Sequence, residues 1–190
     1  MKNRVRTILL FVFLMMIFSL TRSSYSFGQL FFFENPLIGK QAPDFTLKTL
    51  SGKSMNLNQW RKGDPAIIFF WATWCPHCRQ QLGELNDQSQ QIAQKGIKLI
   101  LVDLGEEAKK VRSYMEKNQY PFEVFLDQDS SVSEKYGIIG VPTFFFVDKA
   151  GIIQAVEHAI PENYDKIFLE ENKGEIEKGV EGKKEVKDKT

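Results

Sequence analysis

Apolar runs that alternate with helical patterns constrain the fold of this chain more than any other feature. "AIIFFWA" (Ala66 to Ala72) and "IKLILVDL" (Ile97 to Leu104) are continuous apolar stretches rich in β-branched and aromatic residues, which predicts strands buried on both faces. A helix is predicted between them, from Pro76 to about Lys95, because proline suits the first helical turn and Gly96 suits a helix end. Strands that alternate with helices indicate a sheet with helices on both faces.

The remaining elements complete a mixed sheet. "DFTLKTLSGKSMNL" predicts an N-terminal β-hairpin, because apolar and polar residues alternate on either side of its Ser-Gly turn. Glu106 to Lys117 is amphipathic at helical spacing, and Leu82, Leu85, Ser89, Ile92 and Ala93 share one side of the preceding helix. Later segments predict a strand, a helical turn, a two-stranded hairpin and a last helix, in the order "FEVFLD", "SSVSEKYG", "TFFFVD" with "IIQAVE", and "PENYDKIFLEE". The whole pattern predicts an α/β fold.

The N-terminus carries an export pattern. A basic start precedes an apolar run at residues 8–20, which is shorter than the roughly 18–20 residues needed to span a bilayer. Residues 1–26 are therefore predicted to be a signal peptide, with an uncleaved membrane anchor as the alternative. The protein is expected in the periplasm or on the outer face of the cytoplasmic membrane, where disulfides can persist.

The rest of the chain divides into three predicted parts. Residues 27–38 are interpreted as a linker, residues 39–170 as one domain, and residues 171–190 as a disordered tail, because the tail is charged and almost without apolar residues. The formal net charge of +1 gives no electrostatic reason to expect nucleic acid as a partner. No cofactor is expected, and a monomer is the default.

The only two cysteines, Cys75 and Cys78, lie at the predicted junction of a strand and a helix. Cys75 is then at or near the helix N-cap, where unpaired N–H groups and the helix dipole favour a thiolate. Cys78 lies one turn further in, close enough to bond Cys75 but less exposed. This asymmetry suits thiol–disulfide exchange, in which Cys75 forms a mixed disulfide and Cys78 resolves it.

The two residues between the cysteines are candidates for tuning the redox potential. Pro76 fits the first helical position, and His77 stabilises the Cys75 thiolate as a cation or a hydrogen-bond donor. Stabilising the thiolate makes the oxidised protein a stronger oxidant. The other histidine, His158, follows a late strand and is interpreted as structural or exposed.

Other uses of the cysteine pair fit less well. A closed zinc site needs four ligands, and the two histidines lack finger spacing. Haem attachment requires Cys-x-x-Cys-His, whereas Arg79 follows Cys78. An inert structural disulfide would close too small a loop to stabilise much. Cu(I) binding by the two thiolates stays open as an alternative, and no metal site is predicted.

These residues resemble the thioredoxin superfamily, and the chain is most similar to its exported TlpA/ResA-like thiol–disulfide oxidoreductases, which have a redoxin or AhpC/TSA-like domain. The resemblance covers about Gly39 to Leu169 and rests on "GKQAPDFTLKTLSGKSMNL", "AIIFFWATWCPHC" and "DQDSSVSEKYGIIGVPTFFFVDKAG". It implies a thioredoxin fold, protein thiols or disulfides as substrates, and a membrane or exported redox partner. A role in cytochrome c maturation or envelope redox homeostasis would follow.

The resemblance also implies roles for residues outside the cysteine pair. Pro142 matches the family's cis-proline, which would present the backbone of Val141 to an extended substrate segment. Trp74 would flank Cys75 as part of the docking surface. Trp71 would be more buried, with a role in the core.

Two departures from the family leave the proton chemistry open. The resemblance implies a carboxylate at the position of Phe69, as in thioredoxin and DsbA-like proteins, or at that of Gln81, as in ResA-like reductases. Both are absent, and Glu84 is the candidate substitute. The "CPHC" centre is that of DsbA-like oxidants, whereas the scaffold resembles reductases, so the direction of electron flow stays open.

A peroxiredoxin-like antioxidant is the main enzymatic alternative. That class would need a threonine three residues before the reactive cysteine. Ala72 occupies that position, and Thr73 is one residue off.

Overall fold

The structure is a computed structural model, and it describes residues 35–168. The predicted signal or anchor, most of the predicted linker and the predicted charged tail lie outside these residues. Within residues 35–168, no helix combines the length and the hydropathy needed to cross a bilayer.

Seven strands form one mixed sheet. They are β1 (Thr46–Thr49), β2 (Ser54–Asn56), β3 (Ala66–Trp71), β4 (Lys98–Leu104), β5 (Val124–Asp127), β6 (Thr143–Val147) and β7 (Ile153–Glu157). Their order across the sheet is β2-β1-β5-β4-β3-β6-β7. Strands β3, β4 and β5 are parallel to one another, and the other neighbouring pairs are antiparallel. The N-terminal and C-terminal hairpins are therefore confirmed, and every residue of β3 is buried, as predicted.

Within residues 35–168 there are five helices, of which the last follows β7. They are α1 (Leu57–Arg61), α2 (Pro76–Gln94), α3 (Ala108–Lys117), α4 (Ser131–Lys135) and α5 (Tyr164–Ile167). Two differ from the sequence expectation: α1 was not predicted, and the last helix begins at Tyr164 rather than at Pro161. The amide of Tyr164 donates to the carbonyl of Pro161 at 3.2 Å, so the proline lies in the turn that precedes the helix.

The hydrophobic core lies on both faces of the sheet. On one face, α2, α3 and α5 cover alternate residues of the central strands, including Phe69 and Trp71. On the other face, α1, α4 and the chain before β1 cover Ile68 and Phe70. Burial of each such side chain contributes about 1.5–3 kcal/mol. The predicted mixed sheet with helices on both faces is confirmed.

Helix α2, which carries the cysteine pair, is held to the sheet along one side. Leu82, Leu85 and Ile92 are buried there as expected. Ala93 is exposed, contrary to the sequence expectation, because it falls one position past Ile92 and turns away from the sheet.

A buried arginine fastens α1 to the turn between β6 and β7. The guanidinium of Arg61 donates to the backbone carbonyls of Asp64, Asp148 and Lys149. Only 5% of Arg61 is exposed, and the carbonyl of Asp148 also accepts from the amide of Gly151 at 3.1 Å.

Candidate active site

The two cysteines lie where the central strand β3 passes into α2. The amide of Cys75 donates to the carbonyl of Ala72 at 3.2 Å in the connecting turn, and α2 then begins at Pro76. Cys75 is the N-cap of this helix, as predicted. Its Sγ accepts a hydrogen bond from the amide of Cys78 at 3.1 Å. The two cysteines form a disulfide with their Cα atoms 5.2 Å apart, and Cys78 is fully buried while Cys75 retains slight exposure.

The start of α2 provides a positive environment for Cys75. Its first turn consists of Pro76, His77, Cys78 and Arg79, with Pro76 at the start and no acidic residue. The partial positive charge of the helix N-terminus is therefore not offset. Reduction of the disulfide would place a Cys75 thiolate where a backbone N–H already points at its sulfur, which favours the thiolate. His77 lies exposed on this turn.

A cis-proline loop lies opposite the disulfide. The Val141–Pro142 peptide bond is cis, as expected. The carbonyl oxygen of Val141 lies 3.5 Å from Cys75 Sγ, and both loop residues are half-buried. The structure thus brings Val141 and Pro142, predicted from the resemblance, next to the cysteine pair.

His158 supports this loop from the end of β7. Its Nδ1 lies 2.9 Å from the carbonyl oxygen of Pro142, and because a carbonyl only accepts, the ring nitrogen is the donor. The side chain is exposed, as interpreted from the sequence. Its contact with the loop was missed, because no spacing pattern links residues 16 positions apart across a hairpin.

Two large apolar side chains are exposed near the disulfide. Trp74 is 61% exposed and Ile139 is 96% exposed. Trp74 precedes Cys75, and Ile139 precedes the cis-proline loop, so they belong to the two segments that meet at the sulfur atoms. Trp71 is fully buried, as expected. The exposure of Ile139 was not predicted.

The three positions considered for a proton acceptor are Phe69, Gln81 and Glu84, and their side chains make other contacts. Phe69 is buried in the core against Phe144. The side-chain oxygen of Gln81 accepts from the amide of Ile160 at 2.6 Å, and its nitrogen donates to Glu84 at 2.8 Å. The other oxygen of Glu84 accepts from Gln80 at 3.0 Å. Gln81 therefore joins α2 to the chain before α5.

The loop before Cys75 is held by Glu106, which the sequence reasoning missed. The Glu106 carboxylate accepts from the backbone amide of Thr73 at 2.5 Å and from its hydroxyl at 2.8 Å, and pairs with Lys110 at 2.5 Å. Burial alone would raise the pKa of Glu106, but the hydrogen bonds from Lys110 and Thr73 outweigh it and hold the pKa below its ordinary value. Arg79 donates to the carbonyl of Thr73 at 3.1 Å, so the peptide groups on both sides of Thr73 are held.

A second acidic residue, Asp103, is buried beside this network. It lies on β4 in register with Trp71 of β3, on the face of the sheet that carries the cysteines. Within the described chain, neither of its carboxyl oxygens has a hydrogen-bond partner. Burial, and then the neighbouring Glu106 carboxylate, raise the pKa of Asp103 to about 8. The sequence signal was available, since an acid inside the apolar run "LILVDLGE" has to be buried with the strand.

No cluster of three or more histidine, cysteine or acidic side chains able to hold a metal ion occurs among residues 35–168. The groups of the site that can take part in chemistry are thus the sulfur pair, the start of α2, the cis-proline loop, and the carboxyl groups of Glu106 and Asp103.

Comparison with known sequences places the chain among redox proteins. Residues 38–156 match the AhpC/TSA family. The thiol–disulfide oxidoreductase ResA of Bacillus anthracis is 32% identical over 129 residues, which cover 68% of this chain and 73% of that protein. The ResA protein of Geobacillus thermodenitrificans (strain NG80-2) is 28% identical over 158 residues, covering 82% of this chain and 89% of that protein.

Solved structures give the same picture. The thioredoxin domain of a thiol–disulfide oxidoreductase from Bacteroides vulgatus superposes with a TM-score of 0.61 at 27% identity, covering 68% of this chain and 94% of that one. A thioredoxin-family thiol:disulfide interchange protein from Chlorobium tepidum gives a TM-score of 0.59 at 26% identity, covering 68% and 93%. The expected thioredoxin fold is confirmed.

Proposed function

The chain belongs to the AhpC/TSA family and is a thiol–disulfide oxidoreductase, and from this premise we propose that it exchanges the Cys75–Cys78 disulfide with thiols of exported protein clients. Cys75 is the attacking cysteine and Cys78 resolves the mixed disulfide. Pro76, His77 and Pro142 tune the couple, and Trp74 and Val141 contact the client. The observation that carries the proposal is the position of Cys75 Sγ, which accepts from the Cys78 amide and faces the carbonyl of Val141.

This geometry supports a two-step exchange. A client thiolate attacks Cys75 Sγ, forms a mixed disulfide and releases Cys78 as a thiolate; in the reverse direction, Cys78 attacks Cys75 Sγ and releases the client thiol. An extended client segment can lie along the Val141 backbone, because that carbonyl already faces the sulfur. The exposed Trp74 and Ile139 provide apolar area on either side.

The exchange is tested by trapping. Cys78→Ser protein, incubated with reduced and unfolded client protein after activation of Cys75 as a mixed disulfide, is expected to accumulate a client adduct on Cys75 that dithiothreitol releases. Cys75→Ser is expected to form none, because the slightly exposed sulfur is lost and Cys78 is buried. Equal adduct formation by both variants would contradict the assignment of the attacking cysteine.

Peroxide reduction fits the site less well than exchange. Ala72 occupies the position where the peroxidase class would need a threonine, and the hydroxyl of the adjacent Thr73 donates to Glu106 at 2.8 Å. That hydroxyl is therefore engaged away from Cys75. Turnover of hydrogen peroxide by the reduced protein at a rate comparable to its exchange with protein disulfides would reverse this preference.

Export is part of the proposal, on the evidence of the pattern in residues 1–26. Because the chain has only two cysteines, labelling reports the location of the site directly. In intact cells treated with a mild reductant, a membrane-impermeant maleimide is expected to label the protein without lysis. Labelling that requires lysis would contradict export.

The physiological role follows from the direction of electron flow, which the reduction potential reports. We propose reduction of disulfides in exported proteins, including those of Cys-x-x-Cys-His segments, which must be dithiols before haem attachment, if the potential lies near the roughly −270 mV of thioredoxin. A value near the roughly −120 mV of DsbA assigns the protein to disulfide formation instead. The measurement is equilibration of the purified protein with glutathione buffers of stated ratio.

A further inference from the structure

A concave basic surface lies beside the disulfide, between the start of α2 and the outer side of α3. The depression is open to solvent and has a volume of about 620 Å³. Its positive side chains are Arg79, Lys109, Lys110 and Lys117, and Glu107 is its acidic one. We refer to these five residues, with Thr73 at one end, as the basic groove.

Two residues of the basic groove are close in sequence to the cysteine pair: Thr73 before α2 and Arg79 in its first turn. Thr73 precedes Cys75 by two residues, which places its Cα within about 7–8 Å of that of Cys75. Arg79 directly follows Cys78, and its Nη1 donates to the carbonyl of Thr73 at 3.1 Å. One client peptide could therefore contact Cys75 with its thiol and the groove with the residues next to that thiol.

The groove has an excess of positive charge, with four basic side chains against Glu107 and the Glu106 partner of Lys110. Lys110 pairs with Glu106 at 2.5 Å. Within residues 35–168, Arg79, Lys109 and Lys117 form no ion pair, and all three are exposed. The whole chain is nearly neutral at +1. The groove therefore has more positive charge than the chain average, next to the site of exchange.

The floor and the spacing of the groove fit a short peptide. The half-buried ring of Tyr114 forms an apolar part of the groove floor. It packs against Trp71, with 5.8 Å between the ring centroids, and this contact holds the ring in place. Lys109 and Lys117 are two turns apart on α3, about 12 Å along the helix axis. An extended peptide covers that distance in about four residues.

We propose that the basic groove binds an acidic segment of the client or redox partner, adjacent in sequence to the cysteine that exchanges with Cys75. This proposal rests on the proposed function and adds the chemical class of the partner. The position beside the sulfur atoms favours a peptide that carries the exchanging cysteine over an anionic membrane surface. The groove acts by raising the rate of productive encounter, since clefts lined by one sign of charge raise on-rates about 10–10³-fold at low ionic strength.

The test uses two synthetic peptides that differ only in charge. Each has one cysteine in a disulfide with thionitrobenzoate and, about two residues away, either four acidic residues or four serine and asparagine residues, a spacing set by Thr73 and Cys75. The Cys75 thiolate of the reduced full chain attacks the peptide sulfur and releases thionitrobenzoate, which is measured. Cys78 then attacks Cys75 Sγ, gives up its proton and releases the peptide thiol, so the two electrons of the dithiol end on the peptide disulfide.

The acidic peptide is expected to react about tenfold faster than the neutral peptide at low salt, with the difference lost near 1 M salt, where the Debye length is about 3 Å. The double variant Lys109→Glu/Lys117→Glu is expected to abolish the preference, because it replaces two positive charges of the groove with two negative ones. The matched control Lys53→Glu/Lys149→Glu makes the same charge change at exposed turn residues on other parts of the molecule and is expected to keep the preference.

The outcomes separate this proposal from the proposed function. Equal rates for the two peptides, or equal loss of preference in both double variants, would overturn the basic groove while exchange itself stands. No reaction with either peptide would count against the exchange function. Sedimentation with phosphatidylglycerol vesicles that Lys109→Glu/Lys117→Glu abolishes, together with no peptide preference, would assign the groove to a membrane surface and overturn the peptide proposal.

Discussion

At the scale of single residues, the buried carboxyl of Asp103 should make the stability of the fold depend on pH. Its pKa is raised from 3.8 to about 8, first by burial and then by Glu106. Below pH 3.8 the group is protonated in both the folded and the unfolded chain, and its contribution to stability is fully present. As the pH rises toward 8, the unfolded chain releases the proton while the folded chain retains it, so the free energy of unfolding falls by up to about 1.4 kcal/mol per pH unit.

Asp103→Asn is expected to remove this slope. The free energy of unfolding of the variant, measured by urea denaturation at a series of pH values, should change less than that of the wild type between about pH 5 and 8, with the larger gain in stability at the higher pH. Asp129→Asn is the control, because Asp129 is exposed and hydrogen bonds from Ser131 lower its pKa. That variant should retain the falling slope. A slope in Asp103→Asn equal to that of the wild type would show that Asp103 ionises normally in the fold.

His77 should control the potential of the cysteine pair. The residue lies on the first turn of α2, beside a sulfur that already accepts the Cys78 amide. His77→Ala is expected to make the Cys75 thiolate less stable and the protein more reducing, by about 30 mV for each tenfold change in the equilibrium constant with glutathione. Gln80→Ala, an exposed change on the same helix, should leave the potential unchanged. An unchanged potential in His77→Ala would show that His77 is a solvated residue with no effect on the cysteine couple.

At the scale of elements, Arg61 should contribute strongly to the stability of the packing between α1 and the β6–β7 turn. Arg61→Ala removes the guanidinium donor from the carbonyl of Asp64 and one of two donors from that of Asp148, which keeps the amide of Gly151, and is expected to lower the free energy of unfolding by about 1–3 kcal/mol. Arg61→Lys should recover part of this loss, since one ammonium cannot reproduce the planar fork of donors. Lys149→Ala removes an exposed charge from the same turn and should have little effect in the same urea titration. A loss below about 0.5 kcal/mol in Arg61→Ala would contradict this account.

The elements that the sequence predicted are those with long or clear patterns. The buried strands β3 and β4 appear as continuous apolar runs, and α2 has a proline at its start and a glycine after its end. The five-residue α1 is too short to show a helical period, and the capping hydrogen bond from Gln59 to Asn56 is its local signal. The start of α5 was predicted too early because proline suits both a first helical turn and the turn before a helix.

At the scale of the whole molecule, the parts of the site that the sequence predicted are local in the chain. The cysteines and the helix start lie within a few residues, whereas Trp74, Val141 and Pro142 were reached only through the resemblance. The contacts that were missed join distant segments. Glu106 lies 33 residues from Thr73, and Ile160 lies 79 residues from Gln81. Such contacts depend on which strands become neighbours, and one sequence does not specify that directly.

Oxidation state and global stability should be coupled through this site. The helix start and His77 favour a Cys75 thiolate, and whatever stabilises the thiolate stabilises the reduced fold relative to the oxidised one. The disulfide closes a loop between residues only three apart, so it removes little entropy from the unfolded chain. We therefore expect the reduced protein to have the larger free energy of unfolding at neutral pH, and the difference to shrink as acid protonates the thiolate.

Urea unfolding of the oxidised protein and of the protein in excess dithiothreitol, at neutral and at acidic pH, measures this coupling. Folding and reduction form one thermodynamic cycle. The difference in the free energy of unfolding between the reduced and the oxidised protein must therefore equal the difference in reduction free energy between the folded and the unfolded chain. Cys75→Ser/Cys78→Ser is the control, and it should unfold identically with and without reductant. An oxidised form more stable than the reduced form would mean that the fold favours the disulfide, in which case the protein donates electrons to its clients and His77 does not dominate the site.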